Sequence, residues 1–447
     1  VRRLFSTYNR PQLSVIPRDS GVASNLLLRY TDYPDSVSGS DRVAMTYNRL
    51  NQVTTRTDQR GTIRSFNYDK LGRVTDDRVT TNGTGTDVTV KRISGAYEVR
   101  GMVSTLTSYD NATPGSGTAL NQIALTYNTF SQLTKEEQDH AGTVGGSTPN
   151  VQYGFATGGS SSNQIRPTTL TYPNARQIDF NYGTSGGIND YLNRLGAIID
   201  DSTSTTMAAY TYLGAGSVIQ ITYSQAGFGL DLWGGTSGTF AGIDLFGRIV
   251  DQRWVTTGGS PTDLDRYKYG YDQDSNRFYK QNTVGSGLDE FYTYDNLNRL
   301  ASMQRGTLTG GPPFTGISGT PARELDYTLD PTGNWRTYLI KTSGTTDLNQ
   351  SRTANTVNEI TNITESTGPT WIVPAYDAAG NTTTLPSGLN PTVQYTATYD
   401  AWNRLTQIVD TASGHTVAQY QYDGQTRRIV KKTYTAGTLT ETRHFYW

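Results

Sequence analysis

The sequence lacks cysteine, carries almost no net charge and contains no long apolar run. Without cysteine, disulfides and thiolate metal sites are excluded. The net charge is −1, from 38 basic and 39 acidic residues, so the basic footprint of a nucleic-acid-binding protein is missing. No run of about 18 apolar residues is present, which a membrane-spanning helix would need. We therefore predict no nucleic-acid partner and no membrane span in this chain.

Tyrosine and glycine are abundant instead, with 30 Tyr and 47 Gly among 447 residues. Tyrosine favours strands, and glycine favours turns because it adopts positive φ without strain. The aromatic content of 11% argues against disorder, since disordered chains are poor in aromatic residues. The composition therefore predicts an all-β chain with many turns.

A pattern of eight residues recurs along the chain and reads Tyr-Asp/Asn-x-x-Gly/Asn-Arg/Gln-Leu/Val-Thr. Its clear copies are YNRLNQVT from Tyr47, YDKLGRVT from Tyr68, YNTFSQLT from Tyr127, YDNLNRLA from Tyr294 and YDAWNRLT from Tyr399. Degenerate copies begin at Tyr271, Tyr376, Tyr422 and Asp244. Tyr47 and Tyr68 are 21 residues apart, and Tyr399 and Tyr422 are 23 apart. A near-constant period of this size is typical of repeat arrays.

Each copy predicts a β-hairpin. Tyrosine ends one strand, and Asp or Asn opens the turn by accepting hydrogen bonds from nearby backbone N–H groups. Gly or Asn takes the positive-φ position of a type I turn with a G1 bulge. Leu or Val with Thr then begins the return strand. The positions assigned to this structural repeat are Tyr47, Tyr68, Asp69, Gly72, Arg73, Tyr127, Tyr271, Tyr294, Asp295, Arg299, Tyr376, Asp377, Gly380, Tyr399, Asp400, Arg404, Tyr422 and Asp423.

Two contacts between neighbouring hairpins are predicted from this alignment. Equivalent tyrosines should stack in ladders across the sheet, because neighbouring strands lie about 4.8 Å apart. The arginine of each turn should lie over a neighbouring tyrosine ring, a contact of roughly 0.5–1 kcal/mol when exposed.

The copy YDKLGRVT from Tyr68 matches the unit YDxxGRLT almost letter for letter. Over roughly residues 40 to 440 the chain resembles the YD-repeat or RHS-repeat family. The resemblance implies a long β-sheet strip that spirals into a hollow shell. In that family the shell encloses a C-terminal toxin domain or forms the barrel of a large cell-surface receptor. The absence of cysteine favours the bacterial branch.

The predicted fold is an all-β repeat array of antiparallel β-hairpins that forms a spiralling YD/RHS-type shell or β-solenoid. It covers residues 1–447, with clear repeats at about 40–135 and 265–435, degenerate repeats at 150–260 and no separate catalytic domain. Gly/Ser/Thr-rich stretches such as 158–162 and 234–238 are interpreted as hairpin tips.

No catalytic, cofactor-binding or metal-binding residue is predicted, and no cofactor is expected. The histidines at 140, 415 and 444 lie far apart and lack closely spaced partners, so they are interpreted as single surface residues. The carboxylate doublets at 76–77, 136–137 and 200–201 are interpreted as solvated charges beside turns, because neighbouring strand residues point to opposite faces. Trp233, Trp254 and Trp371 are candidate carbohydrate contacts, since aromatic faces stack on sugar rings. For Trp402, packing in the sheet interior is favoured.

The sequence favours a non-enzymatic structural protein, secreted or at the cell surface, that forms a shell or fibre segment and binds carbohydrate or mediates cell contact. One alternative is the shell of a polymorphic toxin, enclosing a C-terminal toxin domain that is missing from this chain. A second alternative is a carbohydrate-active β-helix enzyme. The predicted partners are a carbohydrate, a cell-surface partner, an enclosed toxin domain of the precursor, or further copies of the chain joined into a filament by free sheet edges.

Overall fold

The computed structural model describes residues 12–15, 27–36, 41–156, 165–234, 241–259 and 261–447. Within these ranges the chain is almost entirely β-structure, with one helix of four residues, α1 (Ile188–Tyr191). That helical turn is far too short to cross a membrane, and the described residues contain no other helix. The hairpin tip predicted at 158–162, and all but Gly234 of the one predicted at 234–238, lie outside the described residues.

The strands alternate with short turns along the whole described chain. The first are β1 (Gln12–Val15), β2 (Leu28–Asp32), β3 (Arg42–Tyr47), β4 (Val53–Thr57), β5 (Ile63–Tyr68), β6 (Val74–Thr81), β7 (Thr86–Asp87), β8 (Arg92–Tyr97), β9 (Val103–Tyr109), β10 (Ala119–Tyr127), β11 (Leu133–Asp139) and β12 (Asn150–Phe155). Next come β13 (Pro167–Thr171), β14 (Gln177–Asn181), β15 (Ala197–Asp200), β16 (Thr205–Leu213), β17 (Ser217–Tyr223), β18 (Phe228–Asp231), β19 (Asp251–Thr256), β20 (Asp263–Tyr271), β21 (Arg277–Asn282), β22 (Asp289–Tyr294), β23 (Leu300–Gly306) and β24 (Leu308–Thr309). The last are β25 (Gly316–Ile317), β26 (Arg323–Leu329), β27 (Trp335–Thr342), β28 (Thr345–Ala354), β29 (Ile360–Thr367), β30 (Ala375–Tyr376), β31 (Thr382–Pro386), β32 (Gln394–Asp400), β33 (Leu405–Asp410), β34 (Thr416–Tyr422), β35 (Arg428–Thr435) and β36 (Thr438–His444).

Most strands belong to one 26-stranded sheet in which each strand pairs antiparallel with the next along the chain. This sheet runs from β1 to β29, with β6 paired to β8 and β23 to β26 where short strands lie outside it. Among the described strands no pairing joins β29 back to β1, so the sheet is an open strip. A second sheet continues from β30 to β36, and β7 from the early chain pairs parallel with β32. The predicted all-β array of antiparallel hairpins is confirmed.

The turn after Tyr68 shows how the repeated pattern folds. The backbone N–H of Asp69 donates to the carbonyl of Arg73 at 3.0 Å, and Gly72 N–H donates to the carbonyl of Asp69 at 3.0 Å. Gly72 has a φ of +83°, and the strand register shifts at Tyr68. The carboxylate of Asp69 accepts hydrogen bonds from the N–H groups of Leu71 and Arg73. The predicted type I turn with a G1 bulge is confirmed in this copy.

The same turn recurs wherever the pattern does, and the fifth position always has positive φ. Examples are Asn51 at 64°, Asn298 at 58°, Gly380 at 79°, Asn403 at 61° and Thr426 at 67°. The turn also forms where the sequence pattern is weak. It is built on Asp58 with Gly61 and on Glu98 with Gly101, through the same pair of backbone hydrogen bonds. The array is therefore more regular than the sequence alone indicates.

Neighbouring hairpins are joined through the motif arginines and tyrosines. The guanidinium of Arg73 lies 4.3 Å from the ring centroid of Tyr97, and that of Arg404 lies 5.1 Å from Tyr422. The predicted arginine–tyrosine contact is confirmed at these positions. Seven motif tyrosines use the hydroxyl as well, donating it to a carbonyl of the preceding hairpin, namely Tyr47, Tyr68, Tyr127, Tyr271, Tyr294, Tyr399 and Tyr422.

The predicted ladders of stacked motif tyrosines are wrong. No ring pair joins consecutive motif tyrosines within the described part of the chain. The stacked pair Tyr327–Tyr338 instead joins opposite positions of β26 and β27. Each repeat contributes two strands, so equivalent tyrosines lie about 9–10 Å apart, too far for ring stacking. The tyrosine hydroxyl instead donates a hydrogen bond to a backbone carbonyl of the intervening strand. This bond, and not ring stacking, connects one hairpin to the next.

Candidate functional site

The second sheet lies against the first hairpins of the strip. Residues 58–140 form one side of this contact and residues 377–447 the other, and we call the contact the seam. Its hydrogen bonds join residues that are 291 to 343 positions apart in the chain. They link Arg60 to Asp377, Asp400 and Asn403, Trp402 to Asp77, Asn121 to Tyr422, Arg427 to Glu136, Gln138 to Trp447 and His140 to His444.

Arg60 is an almost fully buried cation of the seam, with 2% of its side chain exposed. On its own turn the guanidinium donates to Asp58 at 3.2 Å. Across the seam it donates to the carboxylate of Asp377 at 3.4 Å, the carbonyl of Asp400 at 3.0 Å and the side-chain oxygen of Asn403 at 2.8 Å. A buried charge is tolerated only when it is paired and hydrogen-bonded, so this arginine ties two motif turns to the early strip.

Trp402 occupies the seam next to Arg60. Its indole N–H donates to the carboxylate of Asp77 at 2.9 Å, and the guanidinium of Arg64 lies 5.3 Å from its ring. Arg64 is also ion-paired to Asp77. The interpretation of Asp77 as a solvated charge is therefore wrong, since it binds Arg64 on the neighbouring strand and Trp402, which lies 325 residues further along the chain. Trp402 is half-buried between the two sheets.

A second buried charge cluster holds the seam further along. Asp423 is 0% exposed and Glu136 is 3% exposed, and both carboxylates bind Arg427. Arg427 Nε donates to Asp423 at 2.7 Å, and its terminal nitrogens donate to Glu136. Burial lowers the pKa of Arg427, but the two carboxylates more than compensate, so the pKa is raised overall. Glu136 is thus also a buried seam residue and was wrongly interpreted as solvated.

Two histidines predicted to be single surface residues are brought together at the end of the seam. The Nδ1 atoms of His140 and His444 are 2.9 Å apart, and Tyr446 stacks on His140 with ring centroids 4.7 Å apart. Burial, and next the neighbouring His444, lower the pKa of His140 to about 4. Among the described residues, no group of three His, Asp or Glu side chains could hold a metal ion. The separation of 304 residues explains why spacing could not reveal this pair.

A cavity of about 420 Å³ lies within the seam. Strands β10, β33, β34 and β35 line it, and most of the lining side chains are amides, hydroxyls or charged groups. Its wall includes His140, Lys432, Asn121, Gln407 and Gln419. Polar side chains therefore make up most of the wall in this part of the seam.

The three tryptophans predicted to contact carbohydrate lie in separate settings. Trp233 is half-buried just after β18, with its backbone N–H bonded to Asp231 at 2.8 Å. Trp254 packs edge-on against Phe228, with ring centroids 6.0 Å apart. Trp371 follows β29 and lies 5.5 Å from the guanidinium of Arg352.

Arg352 connects Trp371 to an aromatic cluster that the sequence did not single out. The cluster consists of Tyr327, Trp335, Tyr338, Arg352 and Trp371. Trp335 is 42% exposed, and its ring lies 5.0 Å from Tyr327 and 5.1 Å from Tyr338. The guanidinium of Arg352 lies 5.1 Å from Trp335. Pairing β26 with β27 around their turn would have revealed the cluster, because it places Tyr327 opposite Tyr338 and Trp335 close to both.

Comparisons with known proteins agree with this architecture. The family model described as RHS Repeat matches residues 398–439, which include the copies from Tyr399 and Tyr422. No curated protein matches the chain. Among solved structures, the crystal structure of TcdB2-TccC3-TEV matches with a TM-score of 0.63 and 15% identity, over 92% of this chain and 20% of that one. TcdB2-TccC3-Cdc42 matches with a TM-score of 0.58 and 16% identity over the same shares.

These likenesses define an RHS-type shell fold, a long strip of antiparallel hairpins. The match at 398–439 places an RHS repeat in the second sheet, so the resemblance indicated by the sequence is confirmed. The identities are low enough that the structural likeness shows the fold alone. This chain spans about a fifth of the length of the structures it matches.

Proposed function

We propose that the chain is a non-enzymatic wall segment of an RHS-type shell, secreted or displayed at the cell surface, that encloses a polypeptide cargo such as a toxin domain. The seam carries this proposal. A chain that returns after 291 to 343 residues to bind its own early hairpins bounds an interior, whereas a straight fibre would not. The resemblance to a family whose shells enclose a toxin domain supports the same conclusion. We treat residues 1–447 as one array on this basis.

Electron cryomicroscopy of the protein tests the shell. We expect a curved wall that meets itself and surrounds a hollow, because the buried ion pairs of the seam hold the two layers together. The variant Arg60→Met is the matched control, and its particles should be open strips. Straight filaments or flat sheets of the unaltered protein would contradict the shell, and cleavage of a polysaccharide by it would contradict the non-enzymatic assignment.

We propose carbohydrate binding as a second function, favoured by the aromatic cluster around Trp335. An exposed indole beside two tyrosines and a guanidinium offers a face for a sugar ring and a donor for its hydroxyls. Trp335→Ala should weaken glycan binding about ten-fold in calorimetry, the loss of about 1.4 kcal/mol. Phe246→Ala is the control, since Phe246 is an exposed ring outside the cluster. Absence of binding, or binding unchanged by Trp335→Ala, would rule this cluster out, and Trp233→Ala and Trp254→Ala would test the other candidates.

A further inference from the structure

His140 and His444 meet head-on in the plane of their rings. Their ring planes differ by 10°, and the centroids are 5.2 Å apart, which is the Nδ1 to Nδ1 distance of 2.9 Å plus about one ring radius on each side. The two nitrogens therefore point at each other. This geometry fits a single N–H···N hydrogen bond, in which one ring donates and the other accepts.

The surroundings of His140 leave no place for an additional proton. Its Nε2 atom is buried and has no hydrogen-bond partner. A protonated imidazole donates from both nitrogens, so with both rings protonated His140 would have one donor facing a buried wall and the other facing a donor of His444. The acidic groups that face the ring are Asp139 on its own strand and Asp423 on the second sheet. The other charged groups around the shared cavity are Lys432, Asp87, Asp400 and Arg404.

The segment after His444 depends on this contact for its position. The carbonyl of Trp447 accepts hydrogen bonds from the Gln138 side chain at 3.0 Å and the Tyr153 hydroxyl at 3.1 Å. Tyr446 covers the face of His140. The histidine pair and these bonds thus fasten residues 444–447 onto β11 and β12.

We propose that His140 and His444 form an acid-sensitive clasp, which releases residues 444–447 from the early strip when both rings are protonated. The clasp is a property of the seam itself and does not depend on what the shell encloses.

The lowered pKa of His140 supports this and fixes the direction of the effect. Because the pKa falls from 6.5 to about 4 in the closed state, the open state binds more protons between these values. The clasp is therefore fully held above about pH 6.5 and is lost as the pH falls toward 4. At about pH 5 this difference in proton binding lowers the equilibrium constant for closing the clasp by at most about thirty-fold. Solvent screening of the partly exposed ring reduces the change to about ten-fold.

Hydrogen-exchange mass spectrometry at about pH 7.5 and about pH 5 tests the clasp through protection factors, which remove the change in intrinsic exchange rate. Protection of residues 138–153 and 443–447 should fall about ten-fold at the lower pH in the unaltered protein. His140→Phe keeps a ring but cannot titrate, so it should retain equal protection at both values. His415→Gln is the control and should behave like the unaltered protein. An equal loss in all three proteins, or no loss in the unaltered one, overturns the proposal.

Nuclear magnetic resonance keeps the test valid if His140→Phe does not fold. The chain has three histidines, so their ring signals can be assigned and titrated individually. The signal of His140 should titrate well below pH 6.5, together with the signals of the Trp447 indole. Titration of His140 near 6.5, or without change at Trp447, overturns the proposal.

Discussion

Replacement of Arg427 by methionine is expected to destabilise the second sheet by about 3–5 kcal/mol, because it leaves two buried carboxylates without their cation. Asp423 is 0% exposed and Glu136 is 3% exposed, so water cannot take over the role of the guanidinium. Urea titrations followed by hydrogen exchange of residues 394–435 measure the change locally.

Arg299→Met is the matched control for Arg427→Met. Arg299 occupies the same motif position and pairs with Asp295 in the same way, at 2.7 Å, but Asp295 is 31% exposed. Its replacement should cost no more than about 1 kcal/mol, as for exposed ion pairs. Equal losses in the two variants would show that the local turn, and not the seam, sets the stability.

Replacement of Arg60 by methionine is expected to have a similar effect, about 3–5 kcal/mol, at the other end of the seam. Asp58 would remain buried without its cation, and two motif turns of the second sheet would lose their shared donor. Faster hydrogen exchange should appear in residues 375–404, on the far side of the seam, as well as at the substituted turn.

Arg100→Met is the control for Arg60→Met. Arg100 holds the equivalent place in the turn built on Glu98, where it pairs with that carboxylate but is 36% exposed. We expect a loss below about 1 kcal/mol, confined to neighbouring hairpins. If Arg60→Met leaves exchange in residues 375–404 unchanged, the contact between the sheets does not depend on this guanidinium.

The turns were predictable from the sequence because their chemistry is local. Asp69 and Gly72 lie three residues apart, and a side-chain acceptor and a positive φ are enough to define the hairpin between them. The arginine–tyrosine contacts followed from the period. The prediction of tyrosine ladders was wrong because it placed equivalent tyrosines on neighbouring strands. Each repeat contains two strands, so equivalent tyrosines lie on every second strand.

The seam was not predictable because the motif looks the same inside and outside it. Asp295 and Asp423 each accept two backbone N–H bonds in their own turn and pair with the arginine four residues on. Asp423 differs in that its arginine also binds Glu136 of the first hairpins, and there Asp423 is buried. His140 and His444 illustrate the same limit, since neither has a local partner and their contact depends on the path of the whole strip. The exposed Trp335 was missed because its neighbours come from paired strands.

The constant spacing of the last repeats places their turns at regular intervals along the seam. Tyr376, Tyr399 and Tyr422 are separated by 23 and 23 residues, and the turns that follow them hold Asp377, Asp400 and Asp423. The spacing of these three turns must match the spacing of the early hairpins that they contact. Hairpin ends elsewhere on the strip are free to lengthen, because a longer surface loop costs little entropy. Insertions in related sequences should therefore occur in hairpin loops outside the seam, and the 23-residue spacing of the three seam repeats should stay constant.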